Sequence, residues 1–209
     1  MTKAVIFDFD YTLGDSTAGI ALSINYAMEN LGFEPCGIPE IRHTIGLSLK
    51  ETFTALTGRA DEAERFAALF REKADEVMTA NTVLFPDTVA VLETLREMGF
   101  KTGIVTTKYR YRIEQILKKF SAEQLVDVII GAEDVKADKP APEGLLAAIS
   151  ILKADSVLYV GDSVVDAKTA ANAGVDFAAV LTGATAKADF DSYNTICVVE
   201  DLTALLHIL

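Results

Sequence analysis

Six short apolar runs alternate with helical stripes along this chain, and that alternation constrains the fold more than any other feature of the sequence. The runs are Ala4 to Phe9, Lys101 to Thr106, Leu125 to Ile130, Ser156 to Val160, Phe177 to Leu181 and Ile196 to Val199. Between them, Val89, Leu92, Leu95 and Met98 share one helix face, with Gly99 as its stop. Ile113, Ile116, Leu117 and Phe120 share a second face, and Leu145, Ile149 and Leu152 a third. Strands that are apolar throughout and separated by helices imply an α/β fold, a parallel sheet covered on both sides. Such a sheet collects its functional groups at the carboxyl ends of its strands.

One stretch departs from the alternation. From Asp15 to about Thr82 the pattern is helical, with no convincing strand. Ser16 or Thr17 is expected to cap a helix bearing Ile20, Ile24, Met28 and Leu31 and ended by Gly32. A later helix carries Ala63, Phe66, Phe70 and Val77. The expected organisation is therefore a core of residues 1–14 and 83–209 with an all-helical insert at 15–82. The linkers fall near Leu13–Asp15 and Thr82–Pro86.

Charge narrows the partners. The chain has 209 residues, half of them apolar, with 19 Lys plus Arg against 31 Asp plus Glu, a formal net charge of −12. A surface of that sign repels nucleic acid and anionic membrane, so neither is expected as a partner. An anionic substrate then needs a local cation, either a metal or a well-placed lysine. Cys36 and Cys197 stand far apart in no metal-ligand spacing and read as free thiols. Lys3 is followed at once by a strand, no leader pattern is seen, and no apolar run approaches the roughly 18 residues of a membrane span. A cytoplasmic protein is expected, as a monomer or homodimer.

Four strand ends carry groups with chemical potential. The first strand runs into Asp8 and Asp10, which the period of two places on one side of the chain, where two carboxylates can hold a hard divalent cation. A turn or helix cap would use the same residues. The second ends in Thr106, Thr107 and Lys108, where a hydroxyl and backbone N–H groups can hold phosphate oxygens, or Thr106 can simply cap a helix. Lys139 precedes Pro140 after the third strand, in extended backbone, and can point inward or into solvent. The fourth ends in Gly161 and Asp162, which can face the site or simply cap the next helix, with Asp166 four residues on along the same face. Each group has an ordinary structural explanation alone. Together they converge on one edge of a parallel sheet, and carboxylates without histidine suit Mg²⁺ rather than Zn²⁺ and suit phosphoryl transfer.

In order and spacing, DFDYT, IVTTK, DKPAPE and GDSVVD resemble the four motifs of the haloacid dehalogenase superfamily, and within it phosphoglycolate-phosphatase-like proteins. The resemblance spans essentially the whole chain. It implies a Rossmann-like parallel sheet core with an inserted helical cap, and a Mg²⁺-dependent phosphatase acting on a small phosphorylated metabolite. It further implies Asp8 as nucleophile and metal ligand, Asp10 as general acid–base whose carbonyl also meets the metal, and Asp162 as the third ligand. Thr106 and Lys139 would hold the phosphoryl group, and Asp166 would orient Lys139 or metal-bound water. Two positions depart from the family pattern: Tyr11 stands where Gly is usual, and Thr107 where Asn is frequent. Both are expected to bear on substrate choice. RHTIGLSLKETF resembles the family's specificity loop, which makes Arg42, Gly46, Leu47 and Lys50 candidate substrate contacts, though a solvated helix face accounts equally for Arg42 and Lys50.

Rival activities are separable by residue. A dehalogenase would lack the second aspartate, here Asp10. A sugar phosphomutase would carry a histidine early in the first cap helix, where this chain reads TAGIALSIN. A pyrophosphatase shares all four motifs. A non-catalytic binding protein would have no reason to keep Asp8, Asp10, Lys139 and Asp162 together.

Overall fold

The computed structural model describes the whole chain, Met1–Leu209. It divides into two compact units, Met1–Gly14 with Leu84–Leu209, and Asp15–Val83. The chain crosses between them at two two-residue strands that pair with each other, β2 (Gly14–Asp15) and β3 (Val83–Leu84).

The larger unit is built on six parallel strands, β1 (Lys3–Phe7), β4 (Lys101–Val105), β5 (Val128–Ile130), β6 (Ser156–Gly161), β7 (Asp176–Val180) and β8 (Thr195–Val199). Their order in the sheet is β5-β4-β1-β6-β7-β8. Helices α5 (Thr88–Glu97), α6 (Arg110–Lys119), α7 (Glu143–Leu152), α8 (Val164–Ala173) and α9 (Leu202–Leu205) belong to the same unit. The reason β1 shows no polar alternation is that both its faces are covered. Val5 and Phe7 enter one core cluster with Leu92, Leu95, Ile113 and Ile116, whereas Ala4 and Ile6 enter another with Leu145, Ala148 and Ala170. From β1 the chain builds outward through β4 to β5, then returns to build β6, β7 and β8 on the other side. The sheet therefore reverses direction at β1, and a doubly wound sheet opens its crevice at such a point.

The smaller unit is α-helical apart from its share of the linker strands, with α1 (Thr17–Asn30), α2 (Ile38–Arg42), α3 (Leu49–Thr57) and α4 (Ala63–Val77). Its core includes Ile24, Ala27, Met28, Ile41, Phe53, Phe66, Ala74 and Met78, with the Phe53 ring edge-on to Phe33 and tilted against Phe66. Gly19 brings α1 close to the end of α4, where a Cβ would lie 3.0 Å from the Met78 sulfur.

Local details differ from the sequence expectation for identifiable reasons. Ser16 occupies the N-cap position of α1 but its side chain caps nothing. The Asp15 carboxylate accepts from the Thr17 N–H at 2.7 Å instead, and Ser16 Oγ accepts from Thr82 Oγ1 at 3.0 Å. The strand expected from Leu125 is only Val128–Ile130, because Glu123–Leu125 forms a 3₁₀ turn and Asp127 spends its carboxylate on the Thr102 N–H and Lys101. On α5 the buried stripe is Val91, Leu92 and Leu95, while Met98 is exposed. On α7 Ala148 is buried and Ile149 only half-buried. Both cysteines are free thiols. No helix is long and apolar enough to cross a membrane.

Candidate active site

Backbone ladders carry the reactive groups past the formal ends of their strands. The Asp8 N–H still donates to the Val160 carbonyl of β6 at 2.8 Å, and the Thr106 N–H to the Ile130 carbonyl of β5 at 3.0 Å. Asp8 and Asp10 share the parity of Ala4 and Ile6, so the side of β1 that is apolar inside the sheet becomes carboxylate at its end. Asp8, Asp10, Thr106, Lys139, Asp162 and Asp166 are all buried.

Lys139 joins the carboxylates. Its Nζ lies 2.8 Å from Asp8 Oδ1 and 2.7 Å from Asp166 Oδ1, and it donates to Tyr159 Oη at 3.4 Å. Burial works to lower the Lys139 pKa, but Asp166 and Asp8 outweigh it and hold the ammonium well above the ordinary lysine value. The Tyr159 hydroxyl sits 3.0 Å from Asp166 Oδ1 and 3.3 Å from the Val105 carbonyl, its phenol raised first by burial and then by Asp166. Asp166 is also locked at its other oxygen, in a reciprocal cap of α8. Ser163 Oγ accepts from the Asp166 N–H, while Asp166 Oδ2 accepts from the Ser163 N–H and hydroxyl. Gly161 leaves room for this packing, since a Cβ there would meet the Asp166 side chain at 2.5 Å.

The capping function that Asp162 shared as an alternative thus falls to Ser163. The Asp162 carboxylate faces the cluster instead: one oxygen each from Asp8, Asp162 and Asp166 lie within 4.8 Å of one another. Burial pushes the Asp8 carboxyl up to about 7 against the pull of Lys139, with Asp166 and Asp10 adding to the rise. Burial, then Asp166 and Asp8, raise Asp162 well above the usual carboxylate range. Three desolvated carboxylates sharing one lysine are an excess of negative charge that a hard cation would relieve, so the donor set fits Mg²⁺. Asp8 and Asp162 have the free coordination for it; Asp166 is committed to Lys139, Tyr159 and Ser163.

Thr106 does not cap a helix. Its Oγ1 accepts from the Lys108 N–H at 3.2 Å, and α6 begins only at Arg110. Thr106 and Thr107 line one small pocket together with Asp138 and Lys139. Tyr11 is buried, with φ of 58°, the left-handed backbone that explains why glycine suits the position. The Tyr11 N–H donates to the Gly14 carbonyl at 2.8 Å, and its carbonyl accepts from Thr182 Oγ1. In the helical unit, Arg42 ends α2 and is exposed, Gly46 has φ of 96°, and half-buried Leu47 precedes α3. Lys50 lies exposed on the first turn of α3, ion-paired to Glu64.

Four contributors escaped the sequence reading. Tyr159 lies inside an apolar strand and carries no signal there. Ser163 stands beside Asp162, an equally good cap by residue type. Gly183 approaches so closely that a Cβ would lie 1.8 Å from Asp162 Oδ2, which brings the loop after β7 to the site. Lys108, buried with its Nζ 3.1 Å from Asp10 Oδ2, was visible in the TTK run but was given no role.

The chain matches the family model of the haloacid dehalogenase-like hydrolases over residues 5–180. A phosphoglycolate phosphatase of Cereibacter sphaeroides is 35% identical over 185 residues, covering 86% of this chain and 85% of that protein. A pyrophosphatase PpaX of Bacillus mycoides is 30% identical over 209 residues, covering 99% and 96%. Among solved structures, a haloacid dehalogenase-like hydrolase from Bacteroides fragilis superposes with a TM-score of 0.94 at 44% identity, covering 98% of this chain and all of that one.

Proposed function

The chain belongs to the haloacid dehalogenase-like hydrolase family and is a phosphatase, and we propose that it hydrolyses a small phosphate monoester of the phosphoglycolate kind, with Mg²⁺, through an aspartyl-phosphate. The observation that carries this reading is the buried Asp8 carboxylate, paired with Lys139 at 2.8 Å and grouped with Asp162 and Asp166 at the strand ends. An Asp8 oxygen forms a bond to phosphorus as the ester P–O bond breaks, and Asp10 gives its proton to the departing oxygen. In the second step water attacks phosphorus and yields its proton to Asp10, and Asp8 leaves with its electron pair. Lys139 and the Thr106 hydroxyl bind the phosphoryl oxygens, while Asp166 and Tyr159 hold Lys139 in place. Asp8, Asp162 and the Asp10 carbonyl would hold Mg²⁺, which would supply positive charge against the phosphoryl group. The helical unit, with Arg42, Gly46, Leu47 and Lys50, is the proposed source of selectivity, because the phosphoryl group itself is common to every ester. Tyr11 and Thr107 are proposed to tune that choice from the core.

A screen of phosphoglycolate, pyrophosphate, hexose phosphates and nucleoside monophosphates tests the substrate class. Mg²⁺-dependent release of phosphate, highest for phosphoglycolate, is the expected outcome. A preference for pyrophosphate would move the chain to the second reading, which the near full-length similarity to PpaX favours. No turnover of any member, with metal-loaded and EDTA-treated samples alike, would overturn the proposed Mg²⁺-dependent chemistry.

The raised carboxylates also predict a pH-dependent stabilisation by metal. Asp8 titrates near 7 in the folded, metal-free chain against an ordinary value of 3.8, and Asp162 moves the same way. Between those values the folded state binds more protons than the unfolded one, so stability falls as pH rises through the window. The penalty is complete above about pH 7 and absent below about pH 4. Mg²⁺ competes with those protons. Its shift of the melting midpoint is therefore expected to be larger at about pH 8 than at about pH 5. Equal shifts at both would show that these carboxylates are not the ones that meet the metal.

A further inference from the structure

We propose that Lys108 is the positioning residue for Asp10, holding its Oδ2 so that Oδ1 is the oxygen that carries the proton to the leaving group and takes it back from water. This rests on the acid–base reading of Asp10 above and assigns the work within it. Two observations support it independently. Lys108 Nζ lies 3.1 Å from Asp10 Oδ2, with both side chains nine-tenths or more buried. Asp10 Oδ1 is buried as well and has no hydrogen-bond partner. A buried carboxylate oxygen without a partner in the protein is costly, and a group that meets it during the reaction accounts for its being kept.

The lysine is held rather than solvated. Its N–H donates to Thr106 Oγ1 at 3.2 Å, and its carbonyl accepts from the Ala132 N–H at 3.1 Å. The same hydroxyl that is proposed to meet the phosphoryl group therefore fixes the backbone from which Lys108 reaches Asp10. An ammonium against Oδ2 keeps a proton off that oxygen and favours the carboxylate orientation that leaves Oδ1 facing away from Lys108. The proton shuttled between ester oxygen and water is then confined to Oδ1.

The readout is leaving-group dependence. A nitrophenolate departs without a proton, whereas an alkoxide needs one. In Lys108→Met, kcat/KM for an alkyl phosphate is expected to fall about tenfold or more beyond its fall for nitrophenyl phosphate, within the range of a general-acid effect. Asp10→Asn should show the same selective loss, and adding Lys108→Met to it should steepen the dependence no further. The double variant removes both charges together, which guards against a single variant that fails to fold around an unpaired Asp10. A Lys108→Met loss equal across all esters, or one confined to KM for anionic leaving groups, overturns the assignment. So does a double variant steeper than Asp10→Asn alone. A flat Asp10→Asn series would instead overturn the acid–base reading of Asp10 itself.

Discussion

Asp8→Asn is expected to cut turnover by on the order of 10⁴-fold or more, the scale seen when the nucleophile of a covalent mechanism is removed, while leaving a folded protein. The substitution keeps the shape of the side chain and deletes the charge. An amide does not attack phosphorus as a carboxylate does, and it is a poorer ligand for a hard cation. The fold should not suffer, because burial holds the Asp8 carboxyl at about 7, above its ordinary 3.8. Its desolvation therefore outweighs the attraction of Lys139 in the metal-free protein. At about pH 8 and without metal, the variant should melt no lower than the parent, since the group it replaces is ionised at a cost there. With Mg²⁺ the order is expected to reverse, because the proposed metal site would stabilise the parent more than the variant. Circular dichroism melts with and without EDTA, beside a phosphate-release assay, separate the two effects. Near-parent turnover in Asp8→Asn would end the aspartyl-phosphate mechanism.

The reach of the sequence followed burial and backbone rather than charge. The parallel sheet was legible because β1 and its neighbours are covered on both faces, so their apolar runs are continuous. An acidic residue that interrupts such a run marks the strand end only approximately: β1 stops at Phe7, before Asp8, where Ala4 to Phe9 was expected. What failed was the assignment of local hydrogen bonds among adjacent polar residues. Asp15 rather than Ser16 supplies the cap hydrogen bond of α1, and Ser163 rather than Asp162 caps α8. In both cases neighbouring side chains compete for one N–H, and the choice depends on backbone angles that composition does not encode. Tyr159 and Gly183 were illegible for a different reason. A tyrosine within a strand is ordinary core, and a glycine within van der Waals reach of a carboxylate is seen only when two distant loops are brought together. Lys108 was readable as a residue but not as a partner, because its pairing with Asp10 crosses from β4 to β1.

Lys139→Met should be the most destabilising single change at the site. Lys139 serves two carboxylates at once, Asp8 at 2.8 Å and Asp166 at 2.7 Å, with side chains almost wholly buried. Replacing it with an apolar side chain of similar length removes the only cation paired with either, and breaking a buried pair in this way costs about 3–5 kcal/mol. For a chain of this size that is a fall of roughly 6–20 °C in the melting midpoint. The raised Lys139 pKa sets the pH window: its contribution is fully present below the ordinary lysine value and is lost only as pH climbs through the raised one. Lys139 is therefore charged throughout neutral pH, and the loss should be largest above about pH 7, where Asp8 is ionised. It should shrink toward about pH 5, where Asp8 is protonated and no longer leaves an unpaired charge. Lys50→Met supplies the contrast. Lys50 lies 2.6 Å from Glu64, no farther than Lys139 from its partners, but both side chains are more than half exposed. Water already solvates each of them, so breaking that pair should leave the melting midpoint within error of the parent. Equal shifts for the two lysines would mean that the Lys139 carboxylates relax into solvent when their partner goes. The buried charge cluster would then not be the organising feature of this site.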